Sequence, residues 1–185
     1  DHADQSHGID DVRPICIRQR KPIPTYLSAE TRGTLTERFS YCFEGKGGYP
    51  SILDLQDELV PLELVKISGA GGSIEFLPLD MEHGRIRCLG FRIGNLAYCN
   101  DVNGLPEETL EALKGSDTLI IDALRYAPHP SHANLDQALE WIADISPRLA
   151  VLTNMHVDMD YQTLCKELPT GVIPGHDGLR LDFII

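Results

Sequence analysis

From Pro106 onward, helix signals and short apolar runs alternate, and that alternation restricts the chain to an α/β architecture with helices covering sheets. Pro106 opens a helix, Glu107 and Glu108 suit its positive N-terminus, and Gly115 stops it. Thr118 to Ile121 is an apolar run ending at Asp122. Asn134 caps the next helix with Gln137 placed to complete the cap, and Leu135, Ala138, Leu139, Ile142 and Ile145 form its apolar stripe. Leu149 to Leu152 is a further apolar run, ending at Thr153-Asn154. Tyr161 to Leu168 reads as a helix and Leu179 to Ile185 as a closing strand.

Strands dominate the part before Asp101. Ile15-Cys16-Ile17, just beyond Pro14, reads as a short strand, and Ser28 caps a helix running to about Tyr41, with Leu35 and Phe39 at helical spacing. Gly45 to Pro50 is a loop. Leu59 to Ile67, Ser73 to Leu79, Arg85 to Ile93 and Leu96 to Cys99 are strands separated by turns rich in Gly, Asn and Asp. No repeat, low-complexity segment or second-domain linker interrupts the chain, so residues 1–185 are expected to form a single domain.

The net charge of −12 argues against a nucleic-acid backbone or an anionic membrane as the main partner, since both call for a basic surface. It leaves room for a small phosphate ester whose charge a metal neutralises locally. No apolar run is long enough to span a bilayer, and no signal peptide is visible. The five cysteines, Cys16, Cys42, Cys88, Cys99 and Cys165, are scattered and odd in number, which fits reduced thiols in a cytoplasmic protein.

Candidate chemistry lies in the first eleven residues and in the loops after the strands. Asp1 to Asp11 gathers His2 and His7 with several carboxylates, a ligand set that suits zinc, manganese or iron; a solvated polar tail is the plain alternative. His83 follows Asp80-Met81-Glu82, Asp101 follows the strand Leu96 to Cys99, and Asp122 ends its apolar run. His129 and His132 precede the helix capped by Asn134, and His156 follows the strand Leu149 to Leu152. Active-site groups of α/β proteins gather in such loops. Taken singly, each has a structural explanation: a surface histidine, or Asp101 starting a turn with Asn103 and Gly104. Asp122 has no assigned ligand role, His176 reads as a turn residue, and Cys99 is either a small core residue or part of a metal's surroundings.

His2-Ala3-Asp4, with His7-Gly8-Ile9-Asp10-Asp11, resembles the tail end of the His-x-His-x-Asp-His signature of the metallo-β-lactamase fold. His83-Gly84, Tyr98 to Asp101, Asp122 to Arg125, His129 to His132 and Leu152 to His156 follow in the order of the branch that includes the phosphoribosyl cyclic phosphodiesterases. The resemblance implies an αββα four-layer sandwich whose N-terminal part, including the first signature histidine, lies upstream of Asp1. It implies that His2, Asp4, His83, Asp101 and His156 bind one or two ions of Zn2+ or Mn2+, with Asp101 bridging. His132 would act on the leaving group, and Asp4 counts with it as a catalytic candidate. His129 and Arg125 would contact substrate.

Gln5 and Asn154 depart from the family pattern, standing where histidine is expected; with His7 they are supporting or reserve ligands. Either the second metal site is rebuilt from Asp4, Asp101 and His156, or it is weak. The implied function is a metal-dependent hydrolase, a phosphodiesterase acting on a small cyclic or nucleotide-like phosphodiester. The alternative is a catalytically weak nucleotide- or metal-binding member of the same fold. A small phosphorylated substrate is the expected partner, with a homodimer allowed and neither a membrane nor a large nucleic-acid surface.

Overall fold

The computed structural model describes residues 1–183, which form two compact units, Asp1–Val60 and Pro61 onward. The first unit opens with α1 (Ala3–Ser6), a 3-10 turn (Ile9–Val12) and α2 (Arg13–Gln19). It continues through β1 (Ile23–Thr25), α3 (Ala29–Arg38), α4 (Ser40–Glu44) and β2 (Leu53–Leu55). β1 and β2 pair in parallel, with Ile23 opposite Leu53. Cys16, Cys42, Ile52 and Leu53 form its core, with Ile9, Val12, Phe39 and Phe43 packed around them.

Ile15-Cys16-Ile17 is therefore helical, not a strand. Pro14 sits in the first turn of α2, where its missing N–H leaves no helix hydrogen bond unmade and its fixed φ favours the helix. Of the three residues only Cys16 faces inward; Ile15 and Ile17 are exposed. The Ser28 cap is present, its hydroxyl accepting from Thr31 N at 3.3 Å, and the helix ends at Arg38, close to the expected limit.

The second unit holds β3 (Val65–Gly69), β4 (Gly72–His83), β5 (Ile86–Ile93), β6 (Leu96–Cys99), β7 (Thr118–Asp122), β8 (Leu149–Thr153) and β9 (Val172–Pro174). They make one seven-stranded sheet in sequence order. β3 to β6 pair antiparallel, and β6 to β9 pair parallel. Two reversals separate β4 from β6, so β4, β6, β7 and β8 all point the same way and end at the same edge. The parallel half needs crossovers, and α5 (Glu107–Leu113), α6 (Leu135–Ile145) and α7 (Tyr161–Glu167) supply them.

Capping chemistry sets the starts of two of these helices. Asn134 Oδ1 accepts from Gln137 N at 2.9 Å, and Asp160 Oδ1 accepts from Thr163 N at 2.9 Å. α5 packs against β4, α6 against β7, and the two helices against each other. Ala138, Ile142 and Ile145 of the α6 stripe join Leu79, Met81, Ala97, Leu119, Ile121 and Leu152 of the sheet in one core.

Three expectations about this unit change. Residues 59–64 precede β3 as irregular chain, with Leu62 at φ 65°, and β4 runs past Leu79 to His83. The closing strand from Leu179 is absent over residues 179–183, while residues 184–185 lie outside the described residues. Among the described residues the last strand is β9, three residues ending in Pro174, which can close a sheet only where no neighbour needs its N–H.

Leu119, the second residue of β7, is fully enclosed. Leu119→Ala should lower unfolding stability by about 2–5 kcal/mol. Val157→Ala, at a side chain 90% exposed, should stay within about 0.5 kcal/mol. Denaturant titration of both variants compares them directly, and equal effects would contradict the core assignment.

Candidate active site

Strand direction delivers the chemistry to one edge of the second unit. His83 ends β4, Asp101 follows β6, Asp122 ends β7 and Asn154 follows β8. This is the carboxyl edge, where α/β sheets place their ligands. Asp101 (φ 55°) and Asn154 (φ 60°) both adopt left-handed backbone, which turns the chain sharply after each strand.

His83 is 4% exposed and its Nδ1 lies 2.6 Å from the Ser131 carbonyl oxygen. A carbonyl only accepts, so Nδ1 carries the proton and Nε2 keeps its lone pair, the tautomer a metal-binding imidazole requires. Asp122 has no exposed surface. Its carboxylate accepts from Val102 N at 3.1 Å, from His132 Nδ1 at 2.7 Å and from Asn154 Nδ2 at 3.3 Å. Burial pushes the Asp122 carboxyl above the usual carboxylate range, and the three donors oppose that rise without cancelling it.

His132 Nδ1 also lies 3.8 Å from Asp101 Oδ1, and its ring centroid is 4.7 Å from that of His83 and 5.1 Å from that of His129. His129 Nδ1 accepts from Ser131 N at 3.3 Å. Burial first, then the positive charges of Arg125 and neighbouring imidazoles, hold the His129 pKa below its usual value. The Cys88 thiol is pushed up to about 12 by burial and the Asp101 charge, and burial does the same to Cys99.

Asn103 ties the loops together. Its Oδ1 accepts from Gly84 N at 2.9 Å, its Nδ2 donates to the Pro130 carbonyl at 3.0 Å, and its own carbonyl accepts from Gln137 Nε2 at 2.9 Å. Gly84 is needed at this junction: its φ is 64°, and a Cβ there would meet the Ser131 Cβ at 2.9 Å.

His83, Asp101, His132, His129 and Asn154 therefore gather at one edge, joined by Asp122. The sequence left Asp122 without a role because its partner is ten residues away, with no local spacing to reveal it. The available signal was an acid closing the apolar run Leu119-Ile120-Ile121, which a fold encloses only with donors at hand. Arg125 braces its own loop, donating from Nε to the Ala127 carbonyl at 3.1 Å and from Nη2 to the Pro128 carbonyl at 2.7 Å. His156 pairs with Asp158 at 2.7 Å on the exposed side of its loop. The remaining candidates belong to the first unit: His2 precedes α1 and accepts from Ser6 Oγ through its carbonyl, Asp4 and Gln5 lie in α1, and the His7 ring stands edge-on to Phe39.

The donor chemistry fits a divalent ion. Among the described residues, Asp101, Asp122 and His132 offer ligand atoms within 4.8 Å of one another. Asp122 and His132 Nδ1 are paired with each other at 2.7 Å, which points to the Asp101 carboxylate and the His83 imidazole as the donors for an ion at this edge, an oxygen and nitrogen set that suits zinc or manganese.

Residues 1–155 match the family described as the beta-lactamase superfamily domain. A diphosphatase from the PhnP family has a structure similar over the whole chain and 69% of its own, with 30% identity and a TM-score of 0.84. The metallo-beta-lactamase fold protein YhfI from Bacillus subtilis is similar over 97% of this chain and 73% of its own, with 17% identity and a TM-score of 0.72. An octanoyltransferase of Porphyromonas gingivalis (strain ATCC BAA-308 / W83) is 30% identical over 187 residues, 97% of this chain. The chain spans 36% of that protein's length.

Asn103→Ala should weaken the fold by roughly 1–3 kcal/mol, the sum of two hydrogen bonds. It should also weaken the proton signal of His83 Nδ1–H in NMR, because the loop carrying Ser131 loses its tether. Unchanged stability with an unchanged His83 signal would show that Asn103 does not hold these loops.

Proposed function

The chain belongs to the beta-lactamase superfamily domain family and has the α/β metallo-β-lactamase fold, and from that premise we propose that it is a metal-dependent hydrolase that cleaves a P–O bond in a small phosphodiester-type substrate. The observation that carries this is the Asp122–His132 pair, 2.7 Å apart, beside Asp101 and His83 at the carboxyl edge.

His83, through Nε2, and the Asp101 carboxylate would hold the ion. Bound there, Zn2+ or Mn2+ supplies Lewis-acid polarisation of a phosphoryl oxygen and activation of water. The other steps belong to the protein. Asp122 accepts the Nδ1 proton of His132 and so fixes the ring's tautomer and orientation. His132 therefore exchanges protons through Nε2, and in its protonated form it donates to the departing oxygen as the bond from phosphorus to that oxygen breaks. His129 packs against the His132 ring and limits its rotation. Arg125 stiffens the loop from which both histidines project.

The 30% identity to a diphosphatase supports phosphorus–oxygen chemistry. The octanoyltransferase name belongs to a protein of which this chain matches only about a third. The two cysteines nearest this edge do not offer a thiol for acyl transfer: Cys99 is wholly enclosed, and Cys88 Sγ donates to the Asp101 carbonyl at 3.0 Å. The five free thiols are in keeping with a reducing, cytoplasmic setting. Among the described residues no helix is long and apolar enough to cross a membrane.

A rival role, binding a phosphorylated ligand with little turnover, is favoured by Asn154, an amide among the donors. Turnover separates the two. The protein loaded with Mn2+ should hydrolyse an aryl phosphodiester or a nucleoside diphosphate ester and leave an octanoyl ester intact. His132→Ala should retain metal and lose roughly 10²–10⁴-fold in kcat/KM. Undiminished turnover in that variant, or no phosphorus–oxygen cleavage by the native protein, would remove this function.

A further inference from the structure

We propose that Asn154 limits this site to one divalent ion, its amide nitrogen standing where a second cation would have to sit among Asp101, Asp122 and His132. The inference rests on the metal-dependent reading above and concerns how many ions that reading allows.

Asn154 Nδ2 lies 3.3 Å from Asp101 Oδ1, 3.3 Å from Asp122 Oδ1 and 3.2 Å from His132 Nδ1. These are the same three residues whose ligand atoms cluster within 4.8 Å. The amide nitrogen thus touches every donor that a cation in this cluster would use. It must be the nitrogen that faces inward, since both carboxylates present acceptors and an amide oxygen there would add a third.

The amide has two N–H bonds, one for each carboxylate; Asp101 Oδ1 also accepts from Asn100 Nδ2 at 3.3 Å, and His132 Nδ1–H goes to Asp122 Oδ2, which also accepts from Val102 N. An ion using Asp101, Asp122 and His132 together would have to expel the amide and take the place of the His132 proton. Asn154 supplies partial positive charge to both acids without adding net charge, and so meets part of the demand that a cation otherwise meets.

The backbone leaves the amide little freedom to withdraw. Ala123 N donates to the Thr153 carbonyl at 3.1 Å and His156 N to the Leu124 carbonyl at 2.7 Å, so the chain is pinned on both sides of Asn154. His156, the nearest imidazole in sequence, pairs with Asp158 and does not join the cluster.

Counting bound Mn2+ on metal-depleted protein, by isothermal titration and by native mass spectrometry, tests this. The native protein should take up one ion per chain. Asn154→Asp, nearly isosteric, replaces the amide donor by a third carboxylate and should take up two, with Mn2+ raising its Tm more than that of the native protein. Asn154→His, which restores an imidazole, should also take up two; it carries the test if Asn154→Asp does not fold without metal. Two ions on the native protein, or one ion on both variants, would overturn the role given to Asn154 while leaving the metal-dependent reading standing. No uptake by any of the three would overturn both.

Discussion

A carboxylate with no exposed surface has to find its hydrogen-bond donors inside the protein, and at Asp122 they arrive from three separate segments. Val102 N comes from the loop after β6, His132 Nδ1 from the loop before α6, and Asn154 Nδ2 from the turn after β8. Backbone hydrogen bonds also hold these segments, Ala133 N donating to the Val102 carbonyl at 2.6 Å and His156 N to the Leu124 carbonyl at 2.7 Å. The demand of one buried charge makes their positions mutually dependent. The orientation of His132, the placement of Asp101 and the inward turn of Asn154 all follow from satisfying it.

That demand could be met only because the sheet brings the segments together. β5 runs antiparallel to both neighbours, so β4 shares the direction of the parallel strands β6, β7 and β8. Four strand ends then open on one edge, and the residues just past them become neighbours although they span 83 to 154 in sequence. α5 and α6 return the chain to the opposite edge each time and bury their apolar faces in doing so. The same burial that stabilises the unit therefore fixes the geometry of the edge.

Local signals foretold the elements that local chemistry determines. The run Thr118–Asp122, the strand Leu96–Cys99 and the Asn134 cap with Gln137 all stand where the sequence put them. Ile15–Ile17 misled because two β-branched isoleucines flanking a cysteine outweighed Pro14, whose preference for a first helical turn decided the matter. β9 was missed because three residues with a terminal proline carry almost no periodicity, and only pairing with β8 defines them. His83 and Asp101 could be placed at this edge from their positions after strands, and His132 from its position before the helix capped by Asn134. The partnership of Asp122 with His132, and the bracing roles of Asn103 and Arg125, were not readable, since each is a contact made by the fold and leaves no pattern in the order of residues.

The left-handed backbone at Asn154 and Asp101 has a consequence for which amino acids these positions can hold at all. Positive φ is tolerated by glycine and, among residues with side chains, most readily by asparagine, aspartate and histidine. A β-branched or bulky residue there would strain the turn before its side chain met anything. The chemical alphabet open at these corners is thus short, and nearly every letter in it that carries a side chain is a hydrogen-bond donor, an anion or a metal ligand. Variation at residue 154 is biased by the peptide backbone toward exchanges that change how the edge handles charge.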